Sequence, residues 1–260
     1  MDLPYWTHED YFIFKYEFNG SITDYLDIIK QYNKLIFSNY SDLESSIEKI
    51  NDKKYTNNNK YFGSKFNVQL ANSLDQLMNL TELTFGSNFN KPLTNSLIQL
   101  INLTHITFGS NFNKPLTNSL DHLINLTHLT FGDAFNQPLT NSLCYLTKLE
   151  YLALGYNFDQ ELILPSNIKI LSLNCNNQNL VDNLPNSVNQ LNFNIDFNLP
   201  LDNLSNSIKI ISFNEKSDYN KPLNNLPKTL EQLELPSEYK LEVKNLPPNC
   251  KIVSNSNYWV

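Results

Sequence analysis

Residues 84–152 spell one sentence three times: Thr84–Ile106 reads TFGSNFNKPLTNSLIQLINLTHI, Thr107–Leu129 reads TFGSNFNKPLTNSLDHLINLTHL, and Thr130–Leu152 reads TFGDAFNQPLTNSLCYLTKLEYL. Phe85, Phe108 and Phe131 stand 23 residues apart. A fixed period in the twenties marks a solenoid, because one such unit is a single supersecondary turn that cannot bury its apolar face without neighbours. Within a unit Leu83 and Phe85 share one strand parity and Glu82 and Thr84 the other. The first pair is therefore predicted to face the core and the second to face solvent. Phe89 and its counterparts should stack as a ladder. Asn90 suits the bend after the strand, where its amide can bond neighbouring backbone and, from coil to coil, the main chain of the next copy. Pro92 cannot donate to a ladder and marks the strand's exit.

The motif F-N-x-P-L, following L-x-x-L-x-F, recurs as Phe89–Leu93, Phe112–Leu116, Phe135–Leu139 and Phe197–Leu201, and Tyr219 leads a fifth copy to Leu223. These residues resemble the FNIP repeat, a variant of the leucine-rich repeat known from social amoebae and from giant DNA viruses of amoebae. The resemblance covers roughly Tyr61 to Val253. It implies an α/β solenoid, a leucine-rich-repeat-like array with one thin parallel sheet of nine or ten strands and helical or irregular return segments. The anchor position runs through Phe62, Phe85, Phe108, Phe131 and Leu154 at 23 residues, through Leu173, Phe193 and Phe213 at 19 or 20, and to Leu235 after 22. The repeats are thus long to about residue 160 and shorter afterwards.

Residues 1–58 read as an α/β N-terminal cap on the array of residues 59–253, with 254–260 as the C-terminal end. A strand is predicted within Tyr11–Phe18 and a helix over Ile22–Tyr32, followed by a short strand at Leu35–Phe37. Ser41 with Glu44 reads as a capping box that opens a second helix, with Leu43, Ile47 and Ile50 as its buried stripe. The resemblance implies one alternative for this segment. Some FNIP-repeat proteins carry an F-box there, a helical adaptor to a ubiquitin-ligase scaffold, which Leu3-Pro4 and Leu35-Ile36-Phe37 echo but the strand-like YFIFKYEF of residues 11–18 does not.

Composition excludes several classes. The net charge is −7, and all nineteen basic residues are lysine. A nucleic-acid binder normally presents a basic face and guanidinium forks, so no nucleic-acid partner is expected. Cys144, Cys175 and Cys250 are odd in number and lack metal spacing, which suits free thiols in a reducing compartment. No stretch approaches the eighteen or so apolar residues of a membrane span. The expectation is an intracellular protein, cytoplasmic or nuclear, with no membrane contact and a monomeric state favoured. The sequons at Asn79, Asn102 and Asn125 then recur only because the repeat recurs.

A search for chemistry finds little. Six glycines, four of them in the repeat, leave nothing for a phosphate loop. His105 and His128 occupy equivalent positions one coil apart, about 4.8 Å on the strand face, yet among their column neighbours Glu82 and Tyr151 only the glutamate is a good ligand. His8 and His122 stand alone. No catalytic residue, metal or cofactor is expected, and the chain is read as non-enzymatic. What remains is the exposed strand face. Its first column, Glu82, His105, His128, Tyr151, Ile170, Gln190, Ile210 and Gln232, changes at nearly every coil while core positions keep leucine or phenylalanine. The second column, Thr84, Thr107, Thr130, Ala153, Ser172, Asn192, Ser212 and Glu234, is mostly small. The function expected is a protein–protein interaction module whose partner, an unidentified protein, binds across the first column. The alternative is a ubiquitin-ligase adaptor with residues 1–58 as a divergent F-box-like recruiter.

Overall fold

The computed structural model describes residues 2–50, 61–139 and 142–254. Alternating parity holds in the regular coils: Leu83, Ile106 and Leu129 are buried and Glu82, His105 and His128 are half-buried on the other face. The repeat therefore builds short strands, and their stacking builds one sheet. In chain order these are β1 (Tyr5–His8), β2 (Tyr11–Phe14), β3 (Lys34–Phe37), β4 (Glu82–Thr84), β5 (His105–Thr107), β6 (His128–Thr130), β7 (Tyr151–Leu154), β8 (Ile170–Leu173), β9 (Gln190–Phe193), β10 (Ile210–Phe213), β11 (Gln232–Leu235) and β12 (Lys251–Ser254). They lie side by side in that order, twelve strands where nine or ten were expected, and every pair is parallel except the β1–β2 hairpin. The fold is a leucine-rich-repeat-like solenoid. One apolar core runs from Phe12 to Leu233 without a break.

Two files of rings fill that core. Phe85, Phe108 and Phe131 stack at 5.5 and 5.3 Å, and Phe89, Phe112, Phe135 and Phe158 at 6.0, 6.1 and 6.3 Å, all nearly parallel. Beside them runs an asparagine ladder. The Oδ1 of Asn90 accepts from the Asn113 backbone N–H at 3.0 Å, and that of Asn113 from Asn136 at 3.0 Å, so each turn satisfies the next. The sequons form a further ladder: Asn102 and Asn125 donate their amides to Met78 O and Ile101 O at 2.8 and 2.9 Å, while Thr104 and Thr127 donate to Thr81 O and Thr104 O at 3.0 Å each. Glycine in the F-G step is a matter of contact. A Cβ on Gly109 would stand 2.1 Å from Gly86 O, so the coils approach there backbone to backbone.

The connections differ from expectation in detail. Ser21 caps a short 3-10 turn at Ile22–Tyr25, which runs into α1 (Leu26–Ile29), so the predicted helix stops a turn early. In α2 (Leu43–Ile50) the capping residue is Asp42, not Ser41: its Oδ1 accepts from Ser45 N at 2.9 Å. The residue buried on α2 is Ser46, bonded to Ser38 Oγ at 2.7 Å, while Leu43 and Ile47 are half-buried; the side chain of Ile50 lies outside the described residues. The long returns are chains of i→i+3 turns, as at Leu97–Leu100 and Leu100–Leu103, which bury Leu97, Leu100 and Leu103 without a helix. The one return helix among the described residues is α3 (Gln178–Asp182), in the coil after β8.

The chief departure is at Phe62. It matches the period but carries no strand, is 59% exposed and rests against Tyr16. Its slot is taken by β3. Lys34, Leu35 and Ile36 pair in register with Glu82, Leu83 and Thr84, and the Phe37 ring stacks on Phe85 at 6.1 Å with an interplanar angle of 1°. Phe66 then takes the second file, stacked on Phe89 at 5.7 Å. The coil thus reads Leu35-Ile36-Phe37, then an excursion over 38–62, then Gly63-Ser64-Lys65-Phe66. Its stem is closed by Asn39 O, which accepts from Phe62 N and Gly63 N at 2.9 and 3.1 Å, and by a Tyr40–Tyr61 bridge.

Candidate functional site

Because the register is unbroken, the first column is a physical row: Glu82, His105, His128, Tyr151, Ile170, Gln190, Ile210 and Gln232 are successive pairing partners, each half-buried. With β1, β2 and β3 in the sheet, the row begins three strands earlier than the sequence reading placed it, at His8, Tyr11 and Lys34, and it ends at Lys251. The Lys34 ammonium lies 2.9 Å from Glu82 Oε1 and donates to Tyr11 Oη at 3.0 Å. Burial by itself lowers its pKa, but these two partners outweigh it and raise the group to about 12, so it stays charged.

The middle of the row is a pile of rings. His105 and His128 stack with centroids 4.1 Å apart and planes 14° from parallel, and Tyr151 continues the pile at 5.3 Å. Each imidazole is oriented by the threonine before it. Thr104 Oγ1 lies 2.9 Å from His105 Nδ1, and Thr127 Oγ1 lies 2.9 Å from His128 Nδ1. Each hydroxyl also lies 3.0 Å from a carbonyl of the preceding coil that accepts two backbone N–H groups, and which atom donates across each Thr–His contact follows the imidazole tautomer. Neither Nε2 atom has a hydrogen-bond partner among the described residues. Burial lowers the pKa of both histidines. Nearby Glu82 opposes this at His105, and repulsion by His105 adds to it at His128. The pair is neutral at neutral pH.

A cleft of about 500 Å³ opens over this pile. Its floor is the sheet, through Glu82, His105, His128, Tyr151 and the threonines of the second column, and its side wall is the excursion, through Asn39, Tyr40 and Ser46. Two outward positions depart from the parity. Ile13 and Ile36 face outward with the second column, yet they are 0% and 6% exposed and stand apart from the main core. The cleft brings together the first four residues of the expected binding column. The other four, from Ile170 onward, lie outside it on the open face. The wall residues were missed in the sequence because Phe62, not Phe37, was taken as the anchor; the spelling Leu35-x-Phe37 and the unclaimed Gly63-Ser64-Lys65-Phe66 were the available signal. A depression of about 580 Å³ along the Asn102 and Thr104 edge is lined by the amides and hydroxyls of the sequon ladder.

The row is unsuited to gripping one metal ion through its histidines. Rings stacked nearly parallel aim their Nε2 lone pairs side by side, whereas two ligands of one ion must converge on it. Among the described residues no three His, Cys, Asp or Glu side chains cluster as ligands. Likewise, no helix there is long and apolar enough to cross a membrane.

The fold has solved counterparts. CroV588, described as a novel circular leucine-rich-repeat protein and coming from a giant virus, is 22% identical to this chain with a TM-score of 0.55; the match covers 97% of this chain and 41% of that one. The internalin InlF of Listeria monocytogenes is 16% identical with a TM-score of 0.42, over 94% of this chain and 74% of that one. No family model and no curated protein matches the sequence. This chain therefore spans less than half the length of the circular protein whose fold it shares.

Proposed function

We propose that this protein is a non-catalytic, FNIP-like interaction module that binds a partner protein across the exposed strand face, with the contact centred on the cleft at His105, His128 and Tyr151. The observation that carries the reading is the contrast between the two sides of one sheet. The inward side repeats leucine and phenylalanine coil after coil, while the outward row varies and, beneath the excursion, becomes a concave surface with an aromatic floor. Concavity with a few convergent polar groups is the usual anatomy of a binding site. The fold shared with leucine-rich-repeat proteins is compatible with a scaffold of this kind. Nothing favours the ubiquitin-ligase adaptor. Its recruiter is a helical module, whereas residues 5–37 contribute three strands to the same sheet.

The test begins with proximity labelling in the native cell to identify the partner, followed by affinity measurements on purified proteins. Tyr151→Ala should weaken the partner by about 2 kcal/mol, roughly thirtyfold, because tyrosine is a preferred anchor at interface centres. Lys91→Ala, at the strand's exit, should change little because a lone exposed charge is screened. Unchanged affinity for a normally folded Tyr151→Ala would move the function away from this face.

A further inference from the structure

We infer that Asn19 is a site of spontaneous covalent modification, where the protein converts one of its own asparagines to aspartate and isoaspartate with loss of ammonia. The residue has a defined place in the fold. Phe14 and Phe18 extend the two ring files into the coil of β2, stacking on Phe37 at 5.2 Å and on Phe66 at 5.9 Å, so Phe18-Asn19 is that coil's copy of the repeat's F-N pair. Asn19 Oδ1 accepts from Asn67 N at 2.9 Å, and Asn67 Oδ1 accepts from Asn90 N at 2.9 Å, which makes Asn19 the first rung of the asparagine ladder. It is exposed, and it is the one asparagine of the chain that is followed by glycine.

The reaction needs the backbone nitrogen of the following residue to reach the asparagine Cγ. In the regular coils that nitrogen is held: within Asn72-Ser73, Asn95-Ser96 and Asn118-Ser119 the serine N–H groups donate to Leu70 O, Leu93 O and Leu116 O at 2.7, 2.9 and 2.9 Å. The N–H groups of Asn19, Gly20 and Ser21 have no hydrogen-bond partner among the described residues, and neither has Asn19 Nδ2, the leaving group. Packing does not require glycine here, because a Cβ at position 20 would lie 3.4 Å from Phe18 Cε2, an ordinary contact. Its effect is to leave the nitrogen unhindered. Once hydroxide has taken the Gly20 N–H proton, the nitrogen attacks Asn19 Cγ. The N–Cγ bond forms, the Cγ–Nδ2 bond breaks, and Nδ2 takes a proton from water and leaves as ammonia, so that a cyclic imide remains. The Asn67 N–H on Oδ1 stabilises the oxyanion that develops during attack. Water then opens the ring at either carbonyl, giving aspartate, or isoaspartate with the main chain running through Cγ and a carboxylate on Cα; nothing is oxidised or reduced. Aspartate keeps an acceptor for Asn67 N. Isoaspartate removes the rung and lengthens the main chain by one carbon just ahead of Ser21, which caps the 3-10 turn through Thr23 N at 3.2 Å.

The experiment incubates the intact protein at pH 8 and 37 °C for weeks and follows its tryptic peptides by mass. Peptide 16–30 carries Asn19 as its one side-chain amide. It should convert to the acid forms well ahead of the peptides that hold Asn72, Asn95 and Asn118, and faster as pH rises. Its product should accept a methyl group from S-adenosylmethionine in the presence of an isoaspartyl methyltransferase. Gly20→Ala crowds the attacking nitrogen and should slow conversion by about tenfold or more. Its melting temperature should stay that of the natural chain, since the added methyl group meets only an ordinary contact.

The isoaspartate form, separated chromatographically, should melt roughly 2–4 °C below the unmodified protein, the shift expected for one lost hydrogen bond in a chain of this size. Asn19→Asp, which keeps the acceptor, should not. A folded protein that stays unconverted while the free synthetic peptide of residues 16–30 converts would show that the rung protects Asn19, and it overturns the site. Conversion of Gly20→Ala at the natural chain's rate, or equal conversion at Asn95 and Asn118, overturns it as well. An isoaspartate form that melts with the unmodified protein overturns the loss of the rung.

Discussion

At the scale of single residues, the repeat's conserved letters divide by which neighbour they serve. Phe112 serves the core: it is fully buried, 4.3 Å from Phe108 and stacked between Phe89 and Phe135. Phe112→Ala leaves a cavity that rings above and below cannot fill, and it should cost about 3–5 kcal/mol in denaturant unfolding. Asn113 serves the next coil, accepting from Asn136 N and from Gln137 Nε2 at 3.0 and 2.8 Å. Asn113→Ala strands those donors near the surface and should cost less, about 1 kcal/mol. The histidines serve the face, and their titration has a definite sign. Their folded pKa values lie below the unfolded value, so the folded state binds fewer protons near and below pH 6.5. The stability they contribute is fully present above that pH and is lost as pH falls through the lowered folded pKa values. A double His105→Phe, His128→Phe variant should therefore show a flatter melting temperature across the window from pH 6.5 downward than the natural chain. These roles were readable in the sequence for Phe112 and Asn113, because ladder residues must repeat. The orientation of the histidine rings was not, since it depends on a threonine hydroxyl held against the coil before.

Elements follow the same logic, as the coil that contains Phe37 and Phe66 shows. Phe62-Gly63-Ser64-Lys65-Phe66 shares the F-G-S-x-F of Phe85–Phe89, so periodicity assigned the strand to Phe62. Two segments competed for one slot in the sheet. β3 won because Lys34, Leu35 and Ile36 find in-register partners on β4 and the Phe37 ring continues the file on Phe85. The local signal is small, a leucine two residues before Phe37 where Lys60 stands before Phe62, and the neighbouring coil supplies the rest. The excursion then behaves as an insertion between Phe37 and Gly63, with its ends tied at Asn39. Removing residues 38–62 joins Phe37 to Gly63 and restores the F-G-S-x-F pattern of Phe108–Phe112. That variant should still fold as a sheet-rich monomer by circular dichroism and sedimentation. It should melt a few degrees lower, on the order of 1–2 kcal/mol, because buried Ile36 loses its neighbours Asn39, Tyr40 and Ser46 at the cleft wall. Failure to fold would mean the excursion is a required part of the coil and not an insertion in it.

Over the whole molecule the question is whether twelve strands unfold together. Stability in a solenoid is a sum of coil terms and nearest-neighbour interfaces, so a weak interface can divide the array. The ring files continue across the N-terminal junction through Phe37 and Phe66, and they thin after Phe158. There Leu154 and Leu173 replace the first file, and Cys175 takes the second, its successor Asn176 receiving Asn198 N at 2.9 Å as the other ladder asparagines do. Rings resume only at Phe193 and Phe197. Cys175 is nonetheless fully buried, and burial raises its thiol to about 11, so it reacts only when this joint opens. In a background with Cys144 and Cys250 replaced by alanine, its labelling rate in increasing denaturant measures the free energy of that opening. The apolar core is continuous through the joint, with Leu171, Leu173, Val188 and Leu191 buried on either side of the thiol. The opening energy at Cys175 should therefore equal the global unfolding energy from circular dichroism, with the same denaturant slope. A smaller energy with a shallower slope would show instead that the array separates at this coil into two independently melting halves.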